Sequence, residues 1–316
     1  PPRSTLFPYT TLFRSKLPLI SVVVCTYNRA DLLTGCLRSL AEQTLDHHRF
    51  EVIVVDNNST DNTKQVVADF LHKYSHFRLV EESRQGLSHA RNCGWKEARG
   101  EYVAYVDDDA RAVPDWIERI VHNFAEIVPK PIAVGGEIHP FYDVPPPAWF
   151  TDDFELRTWG NMSGFLRPPK LMIGFSGSNM AFQRRVLEAY EGFSSSFGMK
   201  GAEFGIGEET DLFFKIHLKE PYFWYDPAIR VYHLTPARNM KVRYRARRAF
   251  CAGRSHAVIS GRRFLSRENV AELVRLSVMV LASPLRFLGR TGLRRTVAVK
   301  LVQDISYGLG LLAGSA

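Results

Sequence analysis

The sequence predicts an α/β fold, a mixed but mainly parallel sheet with helices on both faces, followed by a basic helical extension. Three observations carry this expectation. Between residues 19 and 127, apolar β-branched runs alternate with segments of helical period, four times over. Three of the strand-like runs end in polar residues: Thr26-Tyr27-Asn28, Asp56-Asn57-Asn58 and Asp107-Asp108-Asp109. Charge is divided along the chain, with 17 Lys/Arg against 2 Asp/Glu over residues 230–300 and 24 against 30 over residues 1–229.

The first unit opens with LISVVVCTY, a near-continuous β-branched run of the kind found in strands covered on both faces. RADLLTGCLRSLAEQ follows and sets Leu32, Leu33, Cys36, Leu37 and Leu40 on one helical face. FEVIVVDNNS and DNTKQVVADFLHKY form the second strand and helix, FRLVEE and GLSHARNCGWKEAR the third pair, EYVAYVDDD and PDWIERIVHNFAEI the fourth. Units of this length imply parallel strands joined by right-handed crossovers. Such sheets bind ligands at the carboxyl ends of their strands, where this chain places its polar residues.

After Ile132 the alternation is lost. HPFYDVPPPAWFTDDFELRTWG, rich in proline and aromatics, reads as a long irregular loop. GFSGSNMAF reads as a strand, RVLEAY as a short helix, and GEETDLFFKIHL as a helix with acids in its first turn. YFWYDPAIRVYHL reads as two strands broken at Asp226-Pro227, and from Ala237 the pattern is helical and basic. No internal repeat is visible. NVAELVRLSVMVLASPLRFL carries Glu272, Arg275, Pro284 and Arg286, and no segment reaches about 18 uncharged apolar residues, so no membrane span is expected.

Composition narrows the class. With 45% hydrophobic and 23% charged residues the chain reads as a soluble globular enzyme. Cys25, Cys36, Cys93 and Cys251 form no CxxC pair, which points away from zinc or a disulfide framework and toward a reducing compartment. No GxxxxGK[ST] occurs, which excludes a P-loop ATPase. The opening PPRSTLFPYTTLFRS lacks the apolar core of roughly 7–15 residues that a signal peptide needs. It reads as a cloning scar, and residues 1–16 are set apart from the fold.

Three adjacent aspartates repel one another, so their presence asks for a cation. Hard carboxylate oxygens suit Mg2+ or Mn2+, and magnesium is usually held by one or two protein carboxylates with substrate phosphates completing its shell. A metal-bridged diphosphate is the natural ligand, since the metal also stabilises charge on a leaving phosphate. A solvated acidic turn, or a cap for the helix opening at Pro114-Asp115, is the competing account.

VVVCTYNRADLLTGCLRSLAEQT, EVIVVDNNSTDNT, GLSHARNCGWKEARGEYVAYVDDDARAVPDW and GEETDLF, in this order and spacing, resemble a family 2 glycosyltransferase of bacterial type with the GT-A fold. The resemblance covers residues 17–235 and is most specific in its first half. It implies a nucleotide-sugar half (17–130), an acceptor half (131–235) and, beyond them, a basic extension (236–316). It further implies an inverting, metal-dependent transfer of a sugar from a nucleotide-sugar donor to a hydroxyl of a glycan or lipid-linked acceptor, in cell-surface polysaccharide synthesis. Asp107-Asp108-Asp109 would be the DXD-type motif, with Asp109 on the metal, Asp108 accepting from ribose hydroxyls, and Asp107 on the metal through water or supporting the loop. Thr26, Tyr27, Asn28 and Arg29 would flank the nucleobase, while Asn28 or Asp31 also caps the following helix. Asp56 would accept the imide N–H of uracil, which favours a UDP-sugar, unless it serves an Asx-turn in DNNSTDNT.

Arg91, near a helix start, would face the diphosphate, unless it is a plain surface arginine. Glu208, Glu209 and Asp211 form the second acid cluster. An inverting transfer needs a base for the acceptor hydroxyl, and the family's Glu-Asp pattern maps that base onto Glu209, where this chain has Glu in place of Asp. Glu208 stays an alternative, and helix N-terminal acids favoured by the macrodipole are the plainer account. His233, in RVYHL, would complete the metal shell or touch the diphosphate. Trp149 and Trp159 are candidate platforms for sugar rings, with buried packing the alternative.

RNMKVRYRARRAFCAGRSHAVISGRRF spaces arginines helically among aromatics. No nucleic-acid module is recognisable, so no nucleic-acid partner is expected. The segment reads as a basic amphipathic stretch on anionic lipid, followed by apolar-rich helices over 267–289 and 295–312. That makes the protein cytoplasmic and peripheral to the inner face of the plasma membrane; the alternative is a helical cap with a solvated Arg face. Two other functions compete. A sugar nucleotidyltransferase would need a Gly-rich cationic loop after the first strand, where this chain has TYNRAD. A non-catalytic nucleotide-sugar- or glycan-binding protein would need only one of the two acid clusters.

Overall fold

A computed structural model describes residues 17–167, 174–201, 204–263, 266–281 and 291–315. The set-apart segment 1–16, residues 282–289 of the expected helix 267–289, and residues 168–172 next to the expected loop lie outside it.

The first half follows the predicted alternation: β1 (Ile20–Thr26), α1 (Ala30–Ala41), β2 (Phe50–Asp56), α2 (Thr63–Lys73), β3 (Phe77–Glu81), α3 (Leu87–Glu97) and β4 (Tyr102–Tyr105). The strands lie in the order β3-β2-β1-β4 and pair in parallel. Register sets Thr26 level with Asp56, and Asp56 with Glu81, so the polar strand ends meet along one edge. β1 and β2 are buried on both faces, which is why they read as unbroken apolar runs. Val22 and Val24 join Leu33, Cys36 and Leu37 of α1, together with Trp116, Ile120 and Phe124 of α4 (Trp116–Glu126), in one core. Val23 joins Ala90 and Trp95 of α3 in the other.

The second half departs from expectation in three places. β5 (Ala110–Ala112) follows the aspartates directly and pairs antiparallel with β9 (Phe223–Leu234), Ala110 opposite His233. β6 (Ala133–Phe141) extends through His139-Pro140-Phe141, which had read as loop; its two glycines and its proline hide the strand signal. β9 is one strand, not two: pairing jumps from Gly135–Tyr225 to Glu137–Arg230, so Asp226–Ile229 bulge out and Pro227 needs no ladder partner. β7 (Gly164–Phe165) adds a short pairing to β9. β8 (Met180–Gln183) sits antiparallel between β4 and β6, and α5 (Arg184–Ala189) and α6 (Glu208–His217) lie where helices were expected.

The rear is helical: α7 (Val242–Ile259), α8 (Arg267–Leu281) and α9 (Thr291–Gly314). α7 and α9 touch backbone to backbone, since a Cβ on Gly310 would lie 2.0 Å from the Phe250 carbonyl oxygen, and one on Gly253 2.0 Å from that of Tyr307. Both helices pack on the sheet domain. Ser255 donates to the Ile206 carbonyl at 2.8 Å, and Thr296 to the Trp149 carbonyl at 2.8 Å. No membrane span was expected, yet among the described residues Arg295–Gly314 is long and apolar enough to cross a membrane by length and composition alone.

Candidate active site

The pairing of β5 with β9 builds the centre of the site. It holds His233 Nε2 3.1 Å from Asp109 Oδ1 and 3.6 Å from Asp107 Oδ2. From the loop after β1, Arg29 Nη1 reaches Asp108 Oδ1 at 2.9 Å and Asp109 Oδ2 at 2.8 Å. Burial pushes all three carboxyls up, and their partners decide the outcome. His233 and Arg29 draw Asp109 down to about 2. His233 and Arg91 hold Asp107 below its usual value. Burial, with the neighbouring aspartates, carries Asp108 to about 7 against the pull of Arg29. Burial would lower His233, but Asp109 and Asp107 raise it to about 10, so its ring is a cation at neutral pH.

Arg91, on α3, joins this centre to the second acid cluster. It is 3% exposed, with Nη1 2.7 Å from Glu208 Oε1 and Nη2 3.4 Å from Asp107 Oδ1. A Cβ at position 177 would lie 2.2 Å from Arg91 Nη2, so only glycine leaves the guanidinium room. Glu208 and Glu209 open α6. Burial and the adjacent Glu208 push Glu209 up to about 8, while Arg91 pulls the other way. Adjacent carboxylates thus have separate environments, one clamped by a cation and one inclined to hold a proton.

Both clusters line one cleft of about 650 Å3, with Thr26, Tyr27, Asn28 and Arg29 along one side. Asn28 pins the first two strand-end loops together: its N–H donates to Ser59 Oγ at 3.0 Å and its Oδ1 accepts from Thr60 N–H at 2.7 Å. The cap of α1 comes from Asp61, whose Oδ2 accepts from Ala30 N–H at 3.1 Å, and not from the side chain of Asn28 or Asp31.

The structure places the other expected site residues as follows. Asp56 does not line the cleft; it is buried, and its Oδ1 accepts from Ser59 N–H at 2.9 Å, the Asx-turn alternative. Asn57 lines the cleft beside it. Asp211 lies outside the cleft, paired with Lys215 at 2.5 Å one helical turn on. Arg91 lines the cleft as a buried bridge between acids, where a donor to diphosphate was expected. Trp149 packs with Phe150, Phe154, Met240 and Val299, the packing alternative, and Trp159 is exposed; neither lines this cleft. The reading missed the opposite wall: Arg157, Arg238, Tyr244, Arg247 and Arg248 face the cleft. The signal was the arginine spacing in RNMKVRYRARR, which had been assigned to lipid.

Residues 21–191 match the family described as Glycosyl transferase family 2. The chain is 29% identical over 200 residues to the glucosyl-dolichyl phosphate glucuronosyltransferase of Haloferax volcanii, covering 63% of each chain, so the match spans under two thirds of that relative. It is 28% identical over 244 residues to the succinoglycan biosynthesis protein ExoM of Rhizobium meliloti, covering 75% of this chain and 74% of that one. Among solved structures it resembles the mannosyltransferase PcManGT from Pyrobaculum calidifontis, in complex with GDP-Man and Mn2+. The TM-score is 0.63 at 21% identity, over 95% of this chain and 87% of that one. The sheet described above is therefore the GT-A fold.

Arg91→Ala removes the partner shared by Glu208 and Asp107. Stripping one member from a buried ion pair destabilises by about 3–5 kcal/mol, so the urea midpoint of the variant should fall accordingly. A midpoint equal to that of the parent would refute the bridging role.

Proposed function

The chain belongs to glycosyl transferase family 2, and on that premise we propose that it transfers a sugar, with inversion, from a nucleoside-diphosphate donor to a hydroxyl of a glycan or lipid-linked acceptor in cell-surface polysaccharide synthesis. The observation that carries the reading is the single cleft in which two acid clusters are joined by Arg91. A UDP-sugar is the favoured donor on the resemblance of the first half, with Tyr27 of the cleft placed to flank the base. The second acid cluster in the same cleft disfavours a pure binding protein.

Asp107, Asp109 and His233 fit a divalent ion. Their ligand atoms lie within 4.8 Å of one another, and an ion there would replace the proton through which His233 Nε2 meets Asp109 and Asp107. Mn2+ or Mg2+ held there would neutralise charge on the departing diphosphate. The GDP-Man and Mn2+ bound by PcManGT support this ligand class. Arg29 spans Asp108 and Asp109 from the donor side and is placed to turn its guanidinium to a phosphate oxygen.

Glu209 is the base. It takes the proton of the acceptor hydroxyl as that oxygen bonds to the anomeric carbon. The bond from that carbon to the phosphate oxygen breaks on the opposite face, and its electron pair leaves with the nucleoside diphosphate. Glu208 is clamped by Arg91 at 2.7 Å, which leaves Glu209 as the carboxylate able to accept.

The rear supports a proposed location. α8 exposes Val270, Leu273, Val274 and Val278 on one face, with exposed Arg263 and Arg267 near its start. This pairing of apolar stripe and cations suits an anionic lipid surface, so the enzyme is proposed to be cytoplasmic and peripheral to the inner face of the plasma membrane.

A base must be deprotonated to act, so the transfer rate should fall about tenfold per pH unit below about 8 and level off above it. Glu209→Gln should abolish that limb and lower kcat by about 10²–10⁴-fold, measured as released nucleoside diphosphate, with donor binding intact. Full transfer by the variant would remove Glu209 from the role. Asp109→Asn should weaken Mn2+ binding by about tenfold or more, read from the EPR signal of free Mn2+; unchanged binding would move the metal elsewhere. The protein should pellet at low salt with liposomes of anionic lipid and stay in the supernatant with zwitterionic ones. Failure to pellet with either would end the membrane proposal.

A further inference from the structure

The cleft wall contributed by α7 and the segment after β6 is cationic beyond its own needs. Three guanidinium groups converge on one carboxylate, Glu155: Arg248 Nη1 lies 2.8 Å from Oε2, Arg157 Nη2 3.5 Å from the same oxygen, and Arg245 Nη1 contacts Oε1. Arg245 is sealed in the wall, its Nη2 donating to the Phe154 carbonyl at 2.6 Å. Arg157 and Arg248 line the cleft, joined by Arg238 and Arg247. Arg247 lies over the Phe204 ring at 5.4 Å, and neither it nor Arg238 has an ion pair among the described residues. Burial and Arg248 lower Arg157 to about 10 in spite of Glu155, as expected where cations outnumber anions.

These cations are separate from the donor side. Asp107, Asp108 and Asp109 are met by Arg29, Arg91 and His233. Arg248 instead faces Glu155, Tyr244 and Glu209. A donor held at the aspartates therefore leaves the arginine wall open on the side of the base, where the acceptor must lie. Gathered cations in a cleft attract an anion of matching charge, and guanidinium forks suit phosphoryl oxygens.

We propose that the acceptor carries a phosphate monoester or diphosphate next to the accepting sugar, and that Arg157, Arg247 and Arg248 bind it. The inference rests on the sugar-transfer reading and names its acceptor class. Three guanidinium groups meet the one carboxylate of Glu155 and Arg247 adds a fourth, so a dianion offsets more of this charge than a singly charged sugar carboxylate does. A prenyl-linked glycan and a soluble sugar phosphate both offer this chemistry and differ in the apolar chain.

The test uses the full chain at pH 8, saturated with UDP and Mg2+, and follows 31P line broadening of inorganic phosphate and of geranyl phosphate. Both signals should broaden with the parent protein. Arg247→Ala and Arg157→Gln should each lower the affinity tenfold or more, with the bound UDP signals unchanged. Geranyl phosphate binding at least tenfold tighter than phosphate identifies a lipid-linked acceptor; equal affinities identify a soluble one. Parent-like affinity in both variants overturns the proposal, as does glucuronate displacing geranyl phosphate as well as inorganic phosphate does. Loss of UDP binding alone would count against the donor site and not against the arginine wall, because the two are read from separate signals.

Discussion

A guanidinium almost cut off from water holds the two ends of the candidate site together. Arg91 comes from α3 in the first half of the chain and Glu208 from α6, 117 residues further along. Asp107 is its second partner. Without that cation, buried carboxylates from both halves would face each other across a poorly hydrated cleft and drive it open. Much else follows from making room for one side chain. Position 177 has no side chain, Tyr105 donates its hydroxyl to the Arg91 carbonyl at 3.3 Å, and the Phe193 ring lies 5.5 Å from the guanidinium carbon. With Glu208 fixed in this way, its neighbour Glu209 is left under burial and like charge, the two influences that make a carboxylate basic.

The first half of the fold was legible because its strands are covered on both sides, and continuous apolar runs are what such burial demands. The polar strand ends were legible for the complementary reason: nothing in a sheet core calls for Asp107-Asp108-Asp109. The second half was not, since β6 contains Gly135, Gly136 and Pro140, each a poor strand former, and owes its place to pairing with β8 and β9. Antiparallel β5, three residues long, is too short to leave a period. Among the site residues, the local motifs could be read and the distant partnerships could not. Sequence spacing places Arg91 on a helix, but only the fold shows that both its partners are acids. Asp56 had two readings from the same residues, and the Asx-turn among them depends on a main-chain N–H three positions on.

The first rear helix is part of the cleft and not an appendage to it. α7 closes the side facing Glu209, and its close contact with α9 fixes where that side lies. The arginine periodicity was visible from the start, but a charged helix face looks the same in sequence whether it meets lipid, solvent or substrate. Glu155, from a segment that had read as irregular loop, separates these cases, because it turns Arg245 and Arg248 of that helix inward.

The bulge in β9 has a geometric consequence. Four residues, Asp226–Ile229, stand opposite the single residue Gly136, so the strand gains an odd number of positions. Side chains on a strand alternate, and an odd gain reverses which of them face each side. Phe223 and Tyr225 before it pack in one core, while Val231 after it packs in the other. The imidazole of His233 inherits that inversion. What this segment must conserve is the parity of its length: an even gain would aim the ring at the far side of the sheet, whatever residues filled it.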